Sequence, residues 1–243
     1  MTDDAAVRVE NVTVQYDRRL VIDQVSFAVA RGAVYALLGR NGAGKSSLMR
    51  CLLGLQKPTR GRVLVFGEDV WTHRSRLLSR AAYVPEAAEV PARLRVLDVV
   101  GFYEAMYPTW DRAAMRARLD RVGVSDGAVV SALSKGQRAL LTLALALSSK
   151  PELLVLDDPT LGLDVVARGE FFSDFIGELA DRGTTVIMTT HDLAGVEGIA
   201  DRVGILQGSR LALDEDVEQM RGERGQSLEQ VFVELTRPAG RAS

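Results

Sequence analysis

A continuous apolar run, Val34 to Leu38, leads directly into GRNGAGKS at residues 39–46. Five uninterrupted apolar residues suit a strand covered on both faces. The eight that follow satisfy G-x-x-x-x-G-K-[ST], and a helical pattern runs on from Gly44 to about Leu55, where Gly54 and Pro58 end it. Strand, glycine loop and helix in that order make a cradle for the phosphate chain of a nucleotide. Gly42 and Gly44 let the backbone curl so that successive amides point inward, and the helix N-terminus adds partial positive charge. The candidate nucleotide contacts are Gly39, Arg40, Asn41, Gly42, Ala43, Gly44, Lys45, Ser46 and Ser47. Lys45 brings a full positive charge to the β- and γ-phosphates, and Ser46 offers a hydroxyl to Mg²⁺.

Such a site needs a carboxylate from a neighbouring buried strand. Leu153 to Leu156 is apolar and ends in Asp157 and Asp158. Nucleotide sites in open α/β sheets lie at the C-terminal strand edge, where these acids fall. Asp157 is the candidate for holding Mg²⁺ through water, and Asp158 for facing the water that attacks the γ-phosphate.

The rest of the chain alternates strand and helix patterns. Val7 to Tyr16 and Val25 to Val29 nearly alternate apolar with polar residues, as half-buried strands do. Short strands are expected at Val63–Phe66, Ala81–Val84, Thr184–Thr189 and Val203–Leu206. From about Pro91 to Ser131 the pattern turns helical around Pro108 and Gly123. Val165–Leu179 and Ser227–Leu235 read as further helices, and Pro238–Ser243 as a frayed tail. The fold class is therefore α/β with a three-layer core. It is one domain over residues 7–235, with a helical subdomain inserted at about 87–140.

Composition narrows the function classes. The net charge is −2 over 243 residues, without the basic excess of a general nucleic-acid binder. Arg112, Arg116, Arg118 and Arg121 recur at helical spacing and read as a solvated helix face. Cys51 is the single cysteine, so no disulfide framework is possible and a reducing compartment is expected. The start, MTDDAAVRVE, has no apolar segment of a signal peptide. The longest apolar run, Ala139 to Leu147, falls far short of the ~20 residues that span a bilayer. His73 lies in a basic stretch read as irregular surface.

With the phosphate loop and the acidic strand in hand, the chain resembles the ATP-binding subunits of ABC transporters over about Val7 to Leu213. Leu133-Ser134-Lys135-Gly136-Gln137 is similar to the family signature LSGGQ, Leu161-Gly162-Leu163-Asp164 to its D-loop, and Thr190-His191-Asp192 to its switch histidine. Tyr16 stands where the family stacks an aromatic ring on adenine. The resemblance implies a P-loop NTPase core with an N-terminal antiparallel β subdomain and the helical insertion. It implies ATP and Mg²⁺ as cofactors, His191 as a γ-phosphate sensor, and Asp164 in the D-loop. Ser134, Lys135, Gly136 and Gln137 would act in trans, on ATP held by a second copy of this chain or a paralogue. It further implies an integral membrane permease as partner, at the cytoplasmic face of the membrane, and no nucleic acid. Tyr107-Pro108-Thr109-Trp110-Asp111, the LSKGQ signature and Leu228–Leu235 resemble exporter-type systems, including bacitracin-type and multidrug transporters.

Three positions depart from that family pattern. Lys135 replaces a signature glycine. Asp158 stands in place of the usual glutamate, and Glu86, after Pro85, in place of the usual glutamine. Glu86 thereby becomes a candidate charged Mg²⁺ ligand and a candidate catalytic group. Aspartate is shorter than glutamate by one carbon–carbon bond, roughly 1.5 Å. A misplacement near 1 Å can cost about 10²-fold in rate, roughly 2.7 kcal/mol of barrier. Two functions follow: an ATPase that drives a permease, or an ATP-gated dimerisation switch with weak hydrolysis.

Overall fold

The computed structural model describes residues 5–87, 90–161, 163, 179 and 183–237. Its spine is a six-stranded sheet in the order β10-β9-β3-β8-β7-β6. These strands are β3 (Val34–Gly39), β6 (Ala81–Val84), β7 (Leu153–Asp157), β8 (Thr185–Thr189), β9 (Arg202–Gln207) and β10 (Arg210–Asp216). All pairings are parallel except that of β10 with β9. A second, antiparallel sheet is ordered β2-β1-β4-β5, from β1 (Ala5–Tyr16), β2 (Arg19–Ala30), β4 (Arg60–Val65) and β5 (Glu68–Asp69).

Period-two alternation sorts the parallel strands onto two cores. Val34, Ala36 and Leu38 of β3, with Leu154 and Leu156 of β7, face one side. Tyr35 and Leu37, with Leu153 and Val155, face the other. The first core is closed by one face of α5 (Lys135–Ser148), by α6 (Leu193–Glu197), α7 (Val217–Arg224) and α8 (Leu228–Thr236). The second is closed by α1 (Lys45–Leu52), α2 (Val70–Leu78) and the antiparallel sheet. This is the three-layer arrangement expected, with helices and a β layer on opposite faces of a buried sheet.

A third core holds the helical region, α3 (Val96–Met106) and α4 (Arg112–Arg121). Helix α5 serves both cores. Leu141, Ala144 and Leu145 pack against α3 and α4, while Leu143, Ala146 and Leu147 pack on the sheet. It runs through residue 140 without a break.

Several local expectations change. Arg118 is not on a solvated face: it is 4% exposed and donates from Nη1 to Ser148 Oγ at 3.2 Å. Met115, Arg118, Leu119 and Val122 share one stripe of α4, so the arginine follows its apolar neighbours onto α5. Arg112 instead lies outside, paired with Glu104 at 2.6 Å. Helix α1 ends at Leu52 rather than Leu55, because the amides of Leu55 and Gln56 turn back to Arg50 O at 2.9 and 3.2 Å. The stretch around His73 is helical, with a kink at His73. Asp69 caps it by accepting from Thr72 N at 2.9 Å, and Val70 and Leu77 anchor it. Strand β10 is only weakly marked in the sequence, by Leu211 and Leu213, because an edge strand needs no more. Cys51 is buried, and burial pushes its thiol up to about 12. No helix among the described residues is long and apolar enough to cross a membrane. The Val165–Leu179 helix, apart from Leu179, and the Pro238–Ser243 tail lie outside the described residues.

Gly61 shows how tightly the two-sheet frame is set. Its φ is +77°, and an added Cβ would fall 2.3 Å from Asn11 O and 2.4 Å from Glu10 O, where β1 bulges against β4. Gly61→Ala is expected to cost about 3 kcal/mol through left-handed strain and lost β1–β4 pairing. Urea unfolding followed by circular dichroism would check it. An unchanged midpoint would show that the bulge yields.

Candidate functional site

Three parallel strands end together. Leu37 of β3 and Asp157 of β7 both lie level with Thr189 of β8. The phosphate loop, the paired acids and the segment leading to His191 therefore leave the sheet at one edge. They border a cavity of about 590 Å³ lined by Tyr16, Arg19, Val21, the loop, Glu86, Asp157, Asp158, Leu161, Thr189 and His191.

The loop wraps its own lysine. Lys45 is 9% exposed, and its Nζ donates to Gly39 O at 2.6 Å and to Arg40 O at 3.4 Å. Burial pulls the ammonium pKa down, while the charges of Asp158, Asp157 and Glu86 push it back up. A phosphate placed there would add the same stabilisation from a nearer anion. Gly44 opens α1 at φ +101°, and an added Cβ would lie 2.5 Å from Ile22 Cδ1 and 2.8 Å from Val21 O. Only glycine lets the loop pass under β2.

The acids are held by a residue that motif reading did not single out. Thr189 is fully buried. Its Oγ1 donates to Asp157 Oδ1 at 2.7 Å and accepts from Asp158 N at 2.9 Å. One hydroxyl thus orients the Asp157 carboxylate and fixes the backbone of Asp158. Its only trace in the sequence is a polar residue closing an apolar strand. Asp158 itself sits at φ +49°, in the left-handed region. Its Oδ2 is 3.3 Å from His191 Nε2. Burial raises the Asp158 pKa and Glu86 adds to the rise, while His191 and Lys45 oppose it.

The remaining predicted residues divide. Tyr16 lines the cavity beside Ser47, its hydroxyl 3.2 Å from Ser47 Oγ and donating to Gln56 Oε1 at 2.5 Å. Gln56, which thus pins the ring, also escaped the sequence reading. Asn41, Gly42, Ser46 and Glu86 line the same cavity. Gly39 and Ala43 form the base of the loop. The Arg40 side chain points away, with Nη1 donating to Thr236 O at 3.4 Å. Ser134, Lys135, Gly136 and Gln137 do not border the cavity; they open α5 elsewhere on the surface. There Ser134 Oγ accepts from Gln137 N and Gln137 Oε1 accepts from Ser134 N, both at 3.1 Å. Gly136 lies near Leu163, with 3.7 Å between its ideal Cβ and Leu163 Cδ2. Asp164 of the D-loop lies outside the described residues.

Among the described residues no cluster of three or more His, Cys, Asp or Glu forms a metal cage. Mg²⁺ takes one or two protein oxygens and completes its shell with phosphate and water. Ser46, Asp157 and Glu86 supply oxygens of that kind around the cavity.

Two outcomes follow. Gly44→Ala should weaken binding of a fluorescent ATP analogue by about ten-fold or more through strain at the loop, with the fold intact by circular dichroism. Wild-type affinity would mean that the loop tolerates a side chain there. The second concerns Asp158. A carboxyl whose folded pKa is raised favours the native state below its unfolded pKa and loses that contribution as pH rises through the folded pKa. At neutral pH the ionised, buried Asp158 therefore costs stability. Nucleotide-free Asp158→Asn should melt higher than wild type near neutral pH, and the gap should shrink as pH falls below the carboxylate range. A gap that widens on acidification would contradict the assignment.

Comparison with known proteins places this site in a family. The ABC transporter family model matches residues 22–161. The chain is 36% identical over 220 residues to a Nod factor export ATP-binding protein of Sinorhizobium fredii, covering 85% of this chain and 62% of that protein. It is 39% identical over 203 residues to a zinc import ATP-binding protein of Pseudomonas entomophila, covering 82% and 74%. A bacitracin transport ATP-binding protein of Enterococcus faecalis is 30% identical over 90% of the chain and 72% of its own length. The solved structure of an ATP-binding subunit of an ABC transporter superposes with TM-score 0.85 at 27% identity, over 95% of this chain and 99% of that one. The chain belongs to the ABC transporter family and carries that family's ATP-binding ATPase domain.

Proposed function

We propose that this chain is the motor subunit of an ABC exporter: it hydrolyses ATP within a head-to-tail dimer and thereby drives a separately encoded membrane permease. The observation that carries the reading is the Asp158–His191 contact, 3.3 Å, in the same cavity as Lys45. A water between Asp158 and the γ-phosphate would find an acceptor whose raised pKa suits it to take up a proton. His191 lies beside it to sense the γ-phosphate. Lys45 and the loop amides stabilise charge on the transferring phosphoryl group. Ser46, Asp157 and Glu86 would hold Mg²⁺, which would supply positive charge to offset that of the phosphates. Tyr16, held by Gln56, would stack on the adenine.

The site is half-built within one protomer, and that supports the dimer. The amide end of the fourteen-residue α5 opens to solvent at the signature, away from the cavity. Ser134 Oγ spends a lone pair on Gln137 N, so its proton stays free to donate to a phosphate. Facing another protomer's ATP, Ser134 and the Gly136 amide would complete the cradle with the helix dipole behind them. Lys135, exposed at that end, adds a positive charge to it. Asp164 would complete the D-loop contact across that interface.

Export is favoured by the resemblances at Tyr107–Asp111, LSKGQ and Leu228–Leu235. Relatives are named for both export and import, so the domain itself serves either direction. In this reading the chain is peripheral, held by its permease at the cytoplasmic face. A second reading, an ATP-gated switch, rests on the shorter Asp158 and its left-handed backbone. There ATP closes the dimer and release is slow.

Steady-state ATPase with the membrane partner decides between them. Asp158→Asn should lose about 10²–10⁴-fold in kcat as a lost proton acceptor does, while ATP still binds. If the Asn variant keeps the wild-type rate, Asp158 is not catalytic. If wild type itself barely turns over and Asp158→Glu accelerates it, the switch reading stands instead.

A further inference from the structure

Away from the nucleotide cavity, residues 50–80 carry seven arginines and lysines against two acids, Glu68 and Asp69, in a chain whose net charge is −2. Three of the seven are neutralised: Arg62 by Glu10, Arg76 by Glu68 and Arg80 by Glu152. Arg50, Lys57, Arg60 and Arg74 are not. All four are exposed, and among the described residues none has a carboxylate within ion-pair reach.

The fold sets two of these cations, Lys57 and Arg74, against one aromatic ring. Trp71 is 39% exposed at the start of α2. Arg74 Cζ stands 5.3 Å and Lys57 Nζ 6.0 Å from the indole centroid. Leu55, on the turn that folds back to Arg50 O, is 58% exposed. Beside Trp71 lies a hollow of about 250 Å³ whose rim includes Lys57, Pro58, Gly61, Arg62 and Thr72. Asp69 is also in its wall, but that carboxylate is engaged by Thr72 N and Thr72 Oγ1, both at 2.9 Å.

We propose that this patch is a docking surface for anionic phospholipid headgroups, through which the chain touches the membrane directly. The chemistry selects that occupant. Unneutralised cations call for a polyanionic surface. An indole with a wet edge and an apolar body belongs at the water–lipid boundary. Lys and Arg stems can lie along apolar surface while their charges reach phosphate. A nucleic acid would match the charges and stack on Trp71, but would leave Leu55 against water. A membrane accepts all three features together. The proposal goes beyond the transport reading and does not require a permease.

The test is sedimentation of the purified chain with large unilamellar vesicles of phosphatidylcholine alone or mixed with phosphatidylglycerol. Binding is expected to the mixed vesicles only, and to weaken with added salt as screening grows. Lys57→Glu/Arg74→Glu should reduce partitioning by about 10²-fold, each juxtamembrane cation contributing on the scale of a several-fold factor. In a Trp110→Phe background, Trp71 emission should shift to the blue on the mixed vesicles. No binding to mixed vesicles, equal binding to neutral ones, or an undiminished double variant would each overturn the proposal. So would duplex DNA or an acidic peptide that binds as tightly as the vesicles at equal salt, with no emission shift on vesicles. Lys45→Ala, which removes the phosphate-binding charge, should bind vesicles like wild type, so failure of the ATPase reading and of this one are separately visible.

Discussion

The in-register parallel pairing of β3, β8 and β7 is the constraint on which the rest of this molecule depends. Each strand carries one component of the site at or just past its last pair with β8 or β7. The phosphate loop follows β3, the paired acids close β7, and His191 follows β8. A slip by one residue would turn every side chain to the opposite face. Val34, Ala36 and Leu38 would then exchange cores with Tyr35 and Leu37, and Thr189 would turn its hydroxyl from the acids. Burial on both faces therefore protects the register and, through it, the geometry of the cavity.

That edge concentrates charge in a dry place, and the structure balances it locally. Lys45 is desolvated but surrounded by Asp157, Asp158, Glu86 and two loop carbonyls. Asp158 is desolvated in turn, with Lys45 and His191 opposing the rise in its pKa. Neither group is comfortable alone, and a triphosphate with its cation changes the surroundings of both. The left-handed backbone at Asp158 is a further concentration of strain where chemistry is proposed. Function is thereby favoured at the expense of the empty protein's stability.

Helix α5 joins this edge to the rest. One of its faces packs on the sheet and another holds α3 and α4, so the signature at its N-terminus is tied to both cores. Arg118, buried against Ser148, stitches α4 to the end of the same helix. A rigid element spanning two cores is a physical route by which events at the proposed dimer contact reach the helical region.

Much of this is legible in the amino-acid sequence. The three-layer class followed from continuous apolar runs alternating with amphipathic segments. The loop, the acids and His191 followed from motifs whose residue types the chemistry demands. The sequence by itself determined which residues these are, because a phosphate cradle needs glycine, lysine and a hydroxyl at set spacing. Tertiary structure alone decided how they meet. Thr189 and Gln56 act across 32 and 40 residues of chain, and no local pattern announces a hydroxyl or an amide that serves a distant strand. Arg118 was misplaced for the same reason, since charge argued for solvent while helical phase carried it inward. The pairing of Lys57 and Arg74 about Trp71 likewise exists only once a turn and a kinked helix are folded together. Local propensity and spacing act over a few residues, whereas burial and charge balance are properties of the assembled layers.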